Sequence, residues 1–208
     1  MAHPQAQPEG TGRRRRRHDP DRRVRILDAA LDVLVERGLA GMTHRHVAAR
    51  ADVPLGSVTY HFAGLTELQA QAFTRYVELR TAEFETLFDE VRTREEFVEV
   101  LVDLVHASPA RQRSAVLGFE LHLAALRNPG LRVLAEKWTR SSQEVLARFV
   151  GAEDAVRLDE LLEGMIMHAL LATGPRPREA ARATIDQAVE PPGNAEFPRT
   201  QGEDHGAR

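Results

Sequence analysis

Between Asp52 and Phe62 the segment DVPLGSVTYHF sets Ser57, Thr59, Tyr60 and His61 among apolar residues. Three hydroxyls and an imidazole within one short stretch donate and accept hydrogen bonds in several directions, which is the chemistry of recognition. The segment also carries a Pro and a Gly, both poor helix formers, so neighbouring elements must hold it. Catalytic chemistry finds less support. His44 and His46 are two residues apart and on a helix would point about 200° apart, too far round to share a metal locally. No HExxH, P-loop, GxGxxG or GxSxG pattern occurs, and with no Cys there is neither a thiol nucleophile nor a soft zinc site. No cofactor is expected, and a helical enzyme stands only as an alternative.

The chain has 208 residues, 28% of them charged and 5% aromatic, enough for a substantial apolar core. No stretch approaches the roughly 18 to 20 apolar residues of a membrane span. The N-terminal MAHPQAQPEGTGRRRRRHDPDRR has charge but no apolar segment behind it, so it does not read as a secretory signal, and a cytoplasmic location is expected. Lys137 is the single Lys among 28 basic residues. Arg in place of Lys could serve phosphate recognition, but the plainer reading is a GC-rich coding sequence. Residues 1–62 hold 11 Arg against 7 acidic residues, a net of +4, which leaves −7 on the other 146. Such asymmetry suggests a nucleic-acid-binding end joined to something else.

Nearly every segment after residue 19 has a helical period, and none alternates like a strand, so the fold is expected to be all-α. Asp19 is placed to cap a first helix, with Pro20 at its first position and Asp21 near the positive end of the dipole. Leu27, Ala30, Leu31 and Leu34 form its apolar stripe, and Gly38 ends it. A second helix starts at Thr43 and buries Val47, Ala48 and Ala51. The opening segment is then a third helix, separated from the second by a few residues around Asp52 and Val53. Two helices joined by so short a turn form a helix-turn-helix, whose second helix lies in a DNA major groove. Val58 and Phe62 would anchor that helix and leave Ser57, Thr59, Tyr60 and His61 outward, while Gly56 lets its backbone approach a phosphate.

The run RILDAALDVLVERGLAGMTHRHVAARADVPLGSVTYHFAGLTEL resembles the DNA-binding domain of the TetR family of bacterial transcriptional regulators, over roughly residues 22 to 68. The matching features are ILDAAL…ERG, the Thr before the second helix, VAARADV and above all G-S-V-x-Y-H-F. The resemblance implies a three-helix DNA-binding domain followed by a larger helical domain that binds a small molecule and dimerises, acting as a repressor released from a palindromic operator. Arg45, Leu55, Gly56, Ser57, Thr59, Tyr60 and His61 are the residues it brings to DNA. Leu55 and Leu65 stand where relatives often carry basic residues, and Pro54 where a capping Ser is usual. The run of Arg13, Arg14, Arg15, Arg16 and Arg17 has nothing apolar to bury; it is either a solvated tail or an arm reaching phosphates or the minor groove.

The expected organisation is a disordered basic arm at 1–18, the helix-turn-helix domain at 19–66, a helical regulatory and dimerisation domain at 67–189, and a disordered tail at 190–208. A long helix from Leu68 to about Glu90 would join the domains, with further helices at about 94–107, 111–127, 130–150, 155–173 and 177–189. Within the helix around 111–127, apolar on more than one face, Glu120 and His122 need partners; a bond to another helix and the lining of a cavity both satisfy that need. The stretch from Phe119 to Trp138 resembles the regulatory domain of many relatives. Candidate effector contacts are Phe119, Glu120, His122, Trp138, Met165 and His168, although Met165, Met167 and His168 also suit plain core or the dimer face. An architectural DNA-binding protein without an effector is the other alternative; the long C-terminal region argues against it.

Overall fold

The structure is a computed structural model that describes residues 21–106, 108–174 and 176–189. Helix α1 (Arg22–Gly41) buries Ile26, Leu27, Ala30, Val33 and Leu34 along one face. Its regular course breaks at Gly38, where φ is 65° and ψ 177°, a conformation that disfavours any Cβ. The predicted stop at Gly38 is thus a break, followed by one more short turn. The expected cap, Asp19, and Pro20 lie outside the described residues. Asp21 precedes the first helical residue and makes no side-chain cap.

Helix α2 (His44–Arg50) begins as the sequence suggests, with the His46 amide donating to Thr43 Oγ1 at 3.1 Å. It ends in a Schellman motif. The Val53 amide donates to the Ala48 carbonyl at 3.0 Å and the Asp52 amide to that of Ala49 at 3.3 Å. Asp52 takes the left-handed position there, φ 51°, which Asp tolerates better than most residues. Helix α3 (Leu55–His61) follows at once, with Pro54 at its N-cap and no side-chain capping bond.

Helix α4 (Leu65–Leu87) starts three residues before the predicted Leu68. Gly64 has no side chain to cap it; Glu67 instead reaches back and accepts from the Ala63 amide at 2.7 Å. Helices α5 (Arg94–Val105), α6 (Pro109–Ala125), α7 (Pro129–Val150), α8 (Ala152–Leu171) and α9 (Arg178–Ala188) complete the chain. The described residues therefore form nine helices and no strand, the all-α fold expected.

Two apolar clusters hold them. The first joins α1, α2, α3 and the N-terminal part of α4 to Leu117, Leu121, Ala124 and Ala125 of α6 and to Leu131 and Ala135 of α7. The second joins the end of α4 to α5, the later part of α7, α8 and α9 around the rings of Phe88, Phe97 and Phe149. Trp138 packs against both clusters. Each fully buried Leu or Phe contributes on the order of 1.5 to 3 kcal/mol relative to exposure. The consequence is positional: α6 is packed against α1, which also carries α2 and α4.

Candidate DNA-contact surface and regulatory core

Helix α3 sorts its side chains by depth. Val58 and the following Phe62 are buried in the first cluster, and the Arg23 guanidinium lies 5.5 Å from the Phe62 ring centroid. Tyr60 is 84% exposed, the largest value among the exposed apolar and aromatic side chains. Thr59 and Gly56 are exposed as well, and Ser57 and His61 half-buried. A Cβ added to Gly56 would meet nothing within 4 Å, so its bare backbone opens onto solvent. Leu55, 42% exposed, adds an apolar side chain to the same surface, and Arg45 is exposed on α2. Thr59 and Tyr60 stand outward as the sequence predicted, with the Thr59 hydroxyl donating to the Gly56 carbonyl at 3.4 Å, whereas Ser57 and His61, expected outward, are half-buried. The arginines at 13–17 lie outside the described residues. His44 and His46 hold no metal together: His46 Nδ1 lies 2.8 Å from the Gly41 carbonyl, and no group of three or more His, Asp or Glu among the described residues is placed to bind an ion.

Behind this surface, α1 is tied to the rest of the chain by charge. Asp28 accepts from Arg75 of α4 at 2.6 and 3.2 Å, a two-pronged pair. Asp32 is shared: one oxygen accepts from Arg50 of α2 at 2.7 Å and the other from Arg113 of α6. Immediately after the Gly38 break, Glu120 of α6 accepts from the Leu39 amide at 3.2 Å. Gly118 of α6 leaves room for the Tyr76 side chain of α4; an added Cβ would lie 2.9 Å from the Tyr76 hydroxyl, which donates to the Ser114 carbonyl at 2.8 Å.

The candidate effector residues do not line one cavity. Glu120 is turned to α1, one of the two outcomes its sequence context left open. His122 lines a cavity of about 340 Å³ with Thr139 and Gln143, sits 3.8 Å from Glu163 of α8, and has its ring beside that of Phe119. Trp138 is held between Phe84, edge-on at 5.6 Å, and the Arg80 guanidinium at 5.4 Å. Met165 lines a different cavity, about 470 Å³, between α5, α6, α8 and α9. His168 is exposed. Sequence reasoning passed over Asp159, which is buried and accepts from Ser142 at 2.6 Å and Gln143 at 3.2 Å. Burial pushes its carboxyl above the usual range, against the opposing pull of those two bonds; burial raises Glu163 too. An acid at an otherwise apolar register of α8 was the available signal.

Comparison with known proteins agrees with this geometry. Residues 26–71 match the family described as bacterial regulatory proteins, tetR family, and residues 92–191 match the tetracyclin repressor-like C-terminal domain. A transcriptional regulator of Streptomyces coelicolor A3(2) is 40% identical, with a TM-score of 0.72 over 82% of this chain and 99% of that one. The multidrug binding protein EbrR, solved with imidazole, is 37% identical, with a TM-score of 0.65 over 84% of this chain and 98% of EbrR. EbrR has also been solved with malachite green, proflavin and ethidium. The HTH-type transcriptional regulator SrpR of Pseudomonas putida is 35% identical over 99 residues, 47% of this chain and about half of SrpR at 46% of its length.

Proposed function

The chain belongs to the TetR family of transcriptional regulators, and from that premise we propose that it is a homodimeric repressor released from a palindromic DNA operator by a small molecule. The observation that carries the DNA half is the division of α3 into a buried anchor, Val58 and Phe62, and an outward face led by Tyr60. Tyr60 donates its hydroxyl to a phosphate and positions the domain, while Thr59 and Ser57 reach base edges. A single helix-turn-helix is small for specifying a site, so two copies would read half-sites about 34 Å apart. Half-buried Ile166 and Leu170 on α8, with exposed Ala183 on α9, supply the apolar face for that pairing. Bound to DNA, the protein would act where the genome is, in the cytoplasm. No helix among the described residues is long and apolar enough to cross a membrane.

The effector half rests on packing. A ligand acts only through different affinities for two arrangements of the protein. Helix α6 meets α1 through Glu120 and Arg113 and borders the 470 Å³ cavity through Gln112, the residue next to Arg113. A ligand that shifts α6 therefore acts on α1 and, through Asp32, on Arg50 of α2. EbrR, a relative over nearly its whole length, binds several small molecules, which supports an effector here. Footprinting of genomic fragments selected by the purified dimer, with and without candidate effectors, tests the reading. A symmetric protected site should appear; binding unaffected by any bound ligand would favour an architectural role instead.

A further inference from the structure

We propose that the cavity between α5, α6, α8 and α9 takes a small acid, a carboxylate or similar anion on an apolar body, and is not a site for cations of the kind bound by EbrR. This rests on the reading of the chain as effector-responsive and names the chemical class of that effector. The cavity holds about 470 Å³, within the range of small-molecule sites. Its apolar wall includes Val105, buried in the second cluster, and the flexible Met165. Its polar wall includes Arg176, His106, Gln112 and Thr184, and no carboxylate among the described residues lines it.

The lining favours negative charge through Arg176. Arg176 is a permanent cation at the rim, with five donors suited to a carboxylate. The two ring nitrogens of His106 lie 3.2 Å from the Val102 carbonyl and 3.3 Å from the Arg176 carbonyl. That pair of contacts also seats the Arg176 backbone against α5. Glu99 and Asp103 of α5 are engaged by Arg178, at 2.6 and 2.7 Å, and Glu99 by Arg182 as well. The first turn of α9, with Pro177 as its N-cap, forms part of the wall. A cation placed here would face Arg176 without a counter-charge in the lining.

The test is calorimetric titration of the full-length protein with three probes that share one ring system: 1-naphthoate, 1-naphthylmethanol and 1-naphthylmethylammonium. Ethidium serves as a fourth. Naphthoate should bind tightest, on the order of tenfold over the ammonium, the size of one charge-assisted contact. Arg176→Gln should erase most of that preference and Arg176→Lys should retain much of it; Met165→Ala should weaken naphthoate and the alcohol alike. Equal or tighter binding of the ammonium or ethidium overturns the proposal, as does an unchanged preference in Arg176→Gln or no binding of any probe. Operator release by naphthoate is measured separately. Tight naphthoate binding without release would overturn the effector reading while leaving the site's selectivity standing.

Discussion

The carboxylate of Glu120 accepts a hydrogen bond from the Leu39 amide at 3.2 Å, joining the middle of α6 to the turn that follows the Gly38 break in α1. That turn leads directly into Thr43 and α2, so Glu120 holds the helix-turn-helix at the point where its chain changes direction. Glu120→Ala leaves the Leu39 amide without this acceptor and should destabilise by about 1 kcal/mol, the low end for a half-buried donor. Glu120→Gln keeps an acceptor oxygen and should recover most of the loss. Urea midpoints measure the stability, and hydrogen exchange at Leu39 reports the bond itself.

On α3 the two neighbouring rings should separate cleanly. Phe62→Ala empties part of the first cluster and should cost roughly 3 to 5 kcal/mol, whereas Tyr60→Phe should leave the melting temperature in place. The same Tyr60→Phe protein should bind its operator more weakly, by about the 1.5 to 3 kcal/mol of a hydrogen bond to a charged group at most. Filter binding beside a thermal melt decides it. A Tyr60→Phe variant that melts early yet binds normally would reverse the assignment of faces.

Asp159 gives stability a dependence on pH. Burial holds its carboxyl above the ordinary value of 3.8, so the folded chain binds this proton more readily than the unfolded chain. The sign follows: the contribution is most favourable below the ordinary carboxylate range and is lost as pH rises through the folded value. Asp159→Asn removes the titration and should flatten the fall in stability over that interval. Denaturation midpoints across a pH series measure the slope, and an undiminished slope in the variant would rule out Asp159 as its source.

Dimerisation through α8 and α9 should be sensitive at Ala183, which is exposed in the isolated chain. Ala183→Glu therefore costs a lone subunit within about 0.5 kcal/mol. At a paired interface it should split the dimer and lower operator affinity together. Sedimentation of the variant as an unperturbed dimer would move the interface elsewhere.

The arginines at 13–17 carry a prediction independent of their conformation. If they neutralise phosphates, each contact contributes about 0.9 to the slope of log affinity against log salt. Removing residues 1–17 should then flatten the salt dependence by several such steps per dimer and leave the preferred sequence nearly unchanged. An unaltered slope in the truncated protein makes the run a bystander.

How far the sequence could be read differs from element to element. The cap at Thr43 was legible because its partner amide is only three residues on, and Val58 with Phe62 because a period of four places them on one face. The start of α4 was misjudged by three residues: Gly64 offers no capping side chain, and Glu67 supplies the cap from inside the helix. The turn at Asp52 was found without its Schellman bonds, since a non-glycine residue in the left-handed position announces itself weakly.

By itself, the sequence determined what depends on near neighbours: helices with one apolar face, a short turn between the second and third, and an outward Thr59 and Tyr60 on the third. Side chains three and four residues apart share a face whatever the rest of the molecule does. Only the tertiary structure decided which faces meet. Glu120 finds its donor 81 residues away, Asp32 divides its oxygens between Arg50 and Arg113, and Gly118 admits the Tyr76 hydroxyl. A helical period states that a face is buried but not against what, and the pairing of helices distant in sequence is settled by the packing of the whole core.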